Sequence, residues 1–219
     1  MPPPLRLTLI AAVTPSNGLG LAGGLPWSLP REMAHFRRAS SHVPEAESEA
    51  SGSTDAEQPR LNAVIMGRNT WESIPPRFRP LKGRINVVVS RTLTEQSARE
   101  LGIDASSHAY HSPSLAHALD FLSSHASLAR VFLIGGAQLY AQALEAVPAP
   151  HALDRLLITR LHTPAECDVF LSEYRTAQQQ EHWRKEEHAE MERWLGGEVG
   201  RGEQEEKATR YEFQMWTRR

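Results

Sequence analysis

Cysteine is close to absent from this chain: Cys167 is the only one among 219 residues. No internal disulfide can form, so a reducing compartment, the cytoplasm, is the expected setting. With no nucleophile motif around it, Cys167 reads as small apolar filler. Long apolar runs are missing too. The run from Leu7 to Val13 is interrupted by Thr8 and is too short for a signal core or a membrane span. Neither charge is in excess. Lys and Arg number 24 against 26 Asp and Glu, a formal net charge of −2, which gives no electrostatic reason to expect nucleic acid or a membrane surface as partner. The ten histidines form no metal-ligand pattern. His182 and His188 stand too far apart, Glu186-Glu187-His188 is not a metalloprotease helix, and His108 and His111 flank Tyr110 without a second pair. No metal site is expected.

What remains is a chain of one-domain length, 1–219, with 40% hydrophobic residues and enough apolar content for a proper core. Leu5–Val13 and Leu61–Met66 are largely apolar runs of strand length, as expected for strands buried on both faces. Ile85–Ser90, Val131–Gly135 and Arg155–Arg160 read as further strands. Pro30 to about Ala39, Arg68–Ile74, Ser114–Ser123 and Ala137–Ala146 read as helices. Residues 40–60 hold Ser, Glu, Ala, Gly and Pro with almost nothing to bury, which predicts an exposed insertion. Toward the C-terminus, Glu181–Trp194 and Tyr211–Trp216 read as arms of an antiparallel hairpin whose loop spans 196–207, although Arg184–Arg193 also suits a charged helix. Alternating strands and helices of this kind give an α/β sheet with an antiparallel end.

The segment Leu25-Pro26-Trp27-Ser28-Leu29-Pro30-Arg31-Glu32-Met33-Ala34-His35-Phe36 carries the most chemical information. Proline suits the first turn of a helix, and an acid there suits the positive end of the helix dipole. Yet Glu32 sits one and four residues from apolar Met33 and Phe36, so that face forms a pocket wall with one fixed negative charge. A flat heterocycle that donates hydrogen bonds would fit it. An acid that only tunes the dipole is the plainer alternative. Nearby, Gly18-Leu19-Gly20-Leu21-Ala22-Gly23 formally matches the dinucleotide fingerprint G-x-G-x-x-G. That motif requires a strand ending at its first glycine and a helix opening at its last. Five-residue separation from Val13 to Gly18, with Gly24, Pro26 and Pro30 following, excludes that context.

Five blocks together resemble the dihydrofolate reductase family: Leu9–Val13 with Asn17–Gly20 and Leu25-Pro26-Trp27; Val64–Pro75; Leu81–Arg91; Phe132–Tyr140; and Leu157–Arg160. They occur in the family's order and cover most of the chain apart from two inserts. The Trp71–Pro76 wording and the inserts are similar to the fungal branch. The resemblance implies a single α/β domain of the dihydrofolate-reductase type: a central mixed, mostly parallel sheet of about eight strands, flanked by helices, with a C-terminal antiparallel hairpin. It also implies NADPH as cofactor, dihydrofolate as substrate, inhibition by antifolates such as methotrexate, and a monomer. The reaction implied is reduction of 7,8-dihydrofolate to tetrahydrofolate.

The family's roles then fall on residues of this chain. Glu32 would accept hydrogen bonds from the pteridine, Thr159 would bond its carboxylate, Trp27 would hold a water through its indole N–H, and Tyr140 belongs to the same catalytic group. Substrate contacts fall on Ile10, Ala11, Leu25, Met33, Phe36, Ile74, Leu81 and Ile134, with Arg84 gripping the glutamyl α-carboxylate. Taken singly, each apolar member reads equally as plain core. Cofactor contacts fall on Ala12, Leu19, Gly20, Ile134, Ala137, Gln138, Leu139 and Tyr140. The glycine-rich loop would cover the nicotinamide, and a cis Gly135-Gly136 bond and Gly67-Arg68-Asn69-Thr70 would meet phosphates. Ser90 and Arg91 would take the 2′-phosphate, favouring NADPH over NADH. Asn69 and Gln138 depart from residues common in relatives, which leaves more of the phosphate grip to Arg68 and Arg91. Two rivals share parts of this pattern. A riboflavin-pathway pyrimidine reductase would keep Gly135-Gly136 but lack the Pro26–Glu32 unit and Arg84; a non-catalytic folate-binding relative would lack Glu32 or Thr159. All are present.

Overall fold

The computed structural model describes residues 3–44, 59–176 and 182–219. Its main sheet runs in the order β10-β11-β7-β1-β6-β3-β4-β5, with β9 also paired to β11. The strands are β1 (Arg6–Val13), β3 (Leu61–Gly67), β4 (Arg84–Val89), β5 (Ala109–Ser112), β6 (Leu128–Leu133), β7 (Ala152–Leu161), β9 (Trp183–Lys185), β10 (Gln204–Glu206) and β11 (Thr209–Arg218). Pairings from β7 through β5 are parallel, and β11 joins β7 antiparallel. A separate two-stranded ribbon pairs β2 (Gly18–Gly20) with β8 (Val169–Phe170).

Alternation along each strand sorts its side chains to two faces. On β1, Leu7, Leu9, Ala11 and Val13 join one apolar cluster while Ile10 joins another. Ala63 and Ile65 of β3 divide from Val64 and Met66 in the same way. Helices α4 (Leu115–Ser123) and α5 (Ala137–Glu145) cover the first face through Leu115, Leu119, Leu139 and Tyr140. The second face is covered by α1 (Pro30–Ser41), α2 (Arg68–Ser73), α3 (Glu95–Glu100) and α6 (His188–Leu195), through Ala39, Trp71, Ala98 and Met191. Burial on both sides is why β1 and β3 read as almost continuous apolar runs. Among the described residues, no helix is long and apolar enough to cross a membrane.

The mixed, mostly parallel sheet is as expected: eight strands form its continuous order and β9 adds to β11. Two expectations need correction. The insertion does not begin at residue 40: Ser40 and Ser41 complete α1, and Ser40 is fully buried. Its hydroxyl donates to the Phe36 carbonyl at 2.8 Å, so a residue of loop-like composition is absorbed by the helix. Residues 45–58 of that expected insertion lie outside the described residues. The second correction concerns the C-terminal region. Within 183–195, only Trp183–Lys185 is strand and the charged-helix alternative holds from His188 to Leu195, ended by Gly196 in the left-handed region. The tight hairpin is β10–β11, so 204–206 are strand rather than loop. Its two-residue turn, Lys207-Ala208, has positive φ at both positions (48° and 61°) with no glycine to announce it.

Candidate active site

Thr159, Gly67 and Gly135 stand at or just after the carboxyl ends of parallel strands, where open α/β sheets place their ligands. Helix α1 starts without a side-chain cap of its own: Leu29 stands at the N-cap and Pro30 follows at the first turn. Glu32 is only 6% exposed. Thr159, on β7 beside Ala12 of β1 and Phe213 of β11, donates its hydroxyl to Glu32 Oε1 at 3.0 Å. Burial raises Glu32 from its usual 4.5 to about 7; the Thr159 bond opposes that rise and the charge of Glu206 adds to it. The acid therefore holds or releases a proton near neutrality.

Arg84 is a second buried charged residue held against α1. It opens β4 almost fully buried, donating Nη1 to Ser40 Oγ at 2.7 Å and Nε to the Lys82 carbonyl at 3.1 Å. Burial, with the charge of Arg37 second, lowers its guanidinium to about 10. Ser40 follows Glu32 by eight residues on the same helix, which is about 12 Å of axial rise. Phe36, Ile74, Leu81, Ile10 and Ile134 belong to one apolar cluster on the same face of the sheet as α1. Met33 and Leu25 are exposed, at 46% and 50%, and are not part of that cluster. A long ligand fits this spacing: a hydrogen-bonding heterocycle at one end, an apolar middle, and an anionic group at the other.

A second half of the site is built from backbone. Gly67 N–H donates to the Gly135 carbonyl at 2.7 Å, binding the end of β3 to the segment after β6. The Gly135-Gly136 peptide is cis. A Cβ on Gly135 would meet Thr70 Oγ1 at 3.2 Å and the Tyr140 hydroxyl at 3.5 Å; one on Gly136 would meet Thr70 Oγ1 at 3.3 Å. Gly67 and Gly136 are the N-caps of α2 and α5, and neither supplies a side-chain cap. The first N–H groups of both helices are thus left without side-chain caps, and the two helix starts adjoin, a Cβ on Gly67 falling 3.6 Å from Gly136 N. Arg68, Asn69, Gln138 and Arg91 are exposed around this cradle, while Ala137, Thr70 and Ser90 are half-buried. Arg68 already pairs with Glu72 at 2.9 Å.

The remaining expected residues divide. Tyr140 is buried with its hydroxyl donated to the Ile10 carbonyl at 2.7 Å, and burial pushes its ionisation well above the ordinary tyrosine range. It therefore ties α5 to β1 and keeps its proton. Ala11 and Leu139 face the first apolar cluster with Tyr140 rather than the cluster that lines the Glu32 pocket. Trp27 packs with Leu29, Leu161 and Ala12, and its buried indole N–H has no protein acceptor; this is the donor that a bound water would use. Two surface clefts flank the site without including Glu32. One, of about 280 Å³, opens beside Trp27, Leu161 and Pro164; the other, of about 350 Å³, lies between α1 and β11.

The glycine loop joining β1 to α1 is held at its base by a buried network that sequence reasoning did not find. Arg160 donates to the Thr14 carbonyl, Asn17 Oδ1 and the Tyr174 hydroxyl at 2.7–2.8 Å. Asn17 donates in turn to Glu173 at 3.0 Å, and Gly18 N–H donates to Thr14 Oγ1 at 2.7 Å. Farther along, Gly20 and Ala22 bond the Asp168 backbone and carboxylate. Cys167 packs against Gly18 so closely that any side chain there would clash, in keeping with its reading as filler. Ser40 and Glu206 were also missed. Ser40's signal was its two-turn spacing from Glu32; Glu206 had none, since only the hairpin register brings it to α1.

A buried acid and a buried cation held against one helix, with two glycine-capped helix starts after neighbouring parallel strands, mark the candidate site of an α/β enzyme. A family model described as dihydrofolate reductase matches residues 58–195. The chain is 40% identical to the dihydrofolate reductase of Pneumocystis carinii over 97% of its own length and 96% of that protein. It is 38% identical to that of Cryptococcus neoformans, covering 96% and 93%, and 37% identical to that of Saccharomyces cerevisiae, covering 74% and 70%. The chain belongs to the dihydrofolate reductase family, and its nearly full-length matches of this kind are fungal.

Proposed function

We propose that this protein reduces 7,8-dihydrofolate to 5,6,7,8-tetrahydrofolate with NADPH, supplying one-carbon metabolism and thymidylate synthesis in the cytoplasm as a monomer. The observation that carries this reading is buried Glu32 on α1 together with buried Arg84, which donates to Ser40 about 12 Å farther along the same helix by helix rise. Dihydrofolate has that layout: a pteridine with N–H donors, a benzoyl middle and a glutamyl carboxylate.

The cradle fits the cofactor. Two helix N-termini without side-chain caps and three closely approached glycines accept phosphates. Gly67, Arg68, Asn69, Thr70, Gly135, Gly136, Ala137 and Gln138 would hold the pyrophosphate, and Ser90 with Arg91 the 2′-phosphate. Ala12, Leu19, Gly20 and Ile134 would border the nicotinamide. When bound, NADPH supplies the hydride that pteridine C6 receives. Glu32, as carboxylate, accepts from the pteridine N3 and 2-amino groups, which fixes the ring and stabilises its protonated form. Thr159 orients that carboxylate. The Trp27 N–H holds a water from which N5 takes its proton. Phe36, Ile74 and Leu81 exclude other water, and Arg84 fixes the tail with a charge-assisted pair.

The test is the absorbance decrease at the nicotinamide band with NADPH and dihydrofolate, with and without methotrexate. A methotrexate-sensitive decrease is expected. No decrease with tight methotrexate binding would mean an intact pocket without turnover, and neither signal would return a pyrimidine reductase to first place.

A further inference from the structure

The first turn of α1 lacks a cap from its own sequence, yet it is capped. Glu206, from β10, accepts the Arg31 backbone N–H with both carboxylate oxygens at 3.1 Å. Its side chain is 10% exposed. Three further contacts hold it: the Tyr211 hydroxyl donates to Oε2 at 3.3 Å, Arg31 Nε lies 3.9 Å from Oε2, and the Arg31 guanidinium also bonds the Glu205 carbonyl. Beside it, Lys207 Nζ donates to Ser28 Oγ at 3.2 Å, tying the hairpin turn to the residue before Leu29. The β10–β11 hairpin is thus docked on the start of α1, one residue before the pocket acid.

We propose that Glu206 is a positioning residue for Glu32: by capping α1 from the C-terminal hairpin it fixes where the pocket carboxylate stands and in what field it ionises. This deepens the dihydrofolate reading and rests on it for the identity of the ligand. The physical case has two parts. A carboxylate on the free N–H groups of a first turn supplies both a hydrogen bond and favourable interaction with the helix dipole. The same negative charge lies near enough to Glu32 to oppose its ionisation, beside the larger effect of burial. The groups facing Glu32 are Thr159, which favours the carboxylate, and Glu206, Tyr140 and Tyr211, which feel its charge. The groups facing Glu206 are Arg31 and Tyr211. A helix cap borrowed from 175 residues away makes the hairpin part of the substrate pocket without touching substrate.

The experiment follows the Glu32 side-chain carboxyl by carbon NMR against pH, assigned with Glu32→Gln, in the wild-type chain, Glu206→Gln and Glu206→Ala. Glu206→Gln keeps an acceptor for Arg31 N–H and removes the charge, so the Glu32 midpoint should move down from about 7. Glu206→Ala also removes the cap. The KM for dihydrofolate should then rise about 5-fold, the equivalent of a lost cap of about 1 kcal/mol, with the KM for NADPH unchanged. An unmoved Glu32 midpoint in both variants would overturn the proposal, as would equal losses of dihydrofolate and NADPH. A shifted midpoint in a chain that never reduces dihydrofolate would uphold the role of Glu206 and sink the substrate assignment, so the two failures are separable.

Discussion

The two halves of the proposed site are built by opposite means. The half with Glu32 and Arg84 rests on buried charged side chains, each nearly removed from water and each shifted toward its neutral form. The half with Gly67, Gly135 and Gly136 rests on backbone and on the absence of side chains. Buried charges cost free energy that a bound ligand could return. In the second half a Cβ on Gly135 or Gly136 would crowd Thr70 Oγ1 at 3.2–3.3 Å. The first is therefore tunable by substitution and the second is close to all-or-none.

The largest effect is expected where the contrast is sharpest. Gly135 has φ of 123°, and a Cβ there would crowd Thr70 Oγ1 at 3.2 Å. Gly135→Ala should weaken NADPH by about 100-fold, as strain of ~3 kcal/mol implies, in a fluorescence titration. Gly102→Ala, at φ 75° with nothing within 4 Å, should cost stability alone; similar NADPH losses in both would break the distinction between halves.

Glu32→Gln comes next. Folding favours the protonated acid, because its folded value of about 7 lies above the usual 4.5. Its contribution to stability is fully present below 4.5 and is lost as pH rises through 7. Glu32→Gln should therefore melt higher than wild type in mildly alkaline buffer, by up to ~3 kcal/mol, and lose that advantage in acid. Turnover near neutrality should fall about 100-fold, with less loss in acid, where substrate arrives protonated. A variant that gains no stability in alkali would show that the acid is not held against its preference.

Arg84→Leu should weaken dihydrofolate by about 30-fold, from loss of charge-assisted hydrogen bonds worth ~2 kcal/mol. NADPH affinity should hardly change, and equal losses would make Arg84 structural. The smallest effect belongs to Thr159→Val. Losing one hydrogen bond to Glu32 should cost about 5-fold in KM. It should also raise the pH midpoint of kcat/KM, since that bond holds the acid down. A midpoint moving the other way would mean that Thr159 acts through packing.

How much of this was legible in the sequence follows the same division. Strands β1 and β3 were readable because burial on both faces leaves continuous apolar runs, and α1 because Pro30 starts it and Met33 and Phe36 follow at helical spacing. The Gly135-Gly136 pair announced a close backbone approach. Ser40 was not legible as helix, since its pairing with Arg84 depends on a strand that starts more than forty residues later. The α6 helix competed with a strand reading because mixed charge and aromatics fit either, and only Met191 and Leu195 packing on the second face decides it. The β10–β11 turn was invisible because Lys207 and Ala208 adopt the left-handed region without glycine or asparagine.

The Arg160 network has a consequence for how the enzyme takes instructions from its surroundings. Its three acceptors are a backbone carbonyl, an amide oxygen and a phenol, the last pushed above its ordinary range by burial. Glu173, the carboxylate that accepts from Asn17, is held at about 2 by its bonds to Arg175. These two shifts lie on either side of the interval where Glu32 exchanges its proton. A change in pH through neutrality would therefore act on the Glu32 end of the proposed site and leave Glu173 and Tyr174 at the base of the glycine loop as they are.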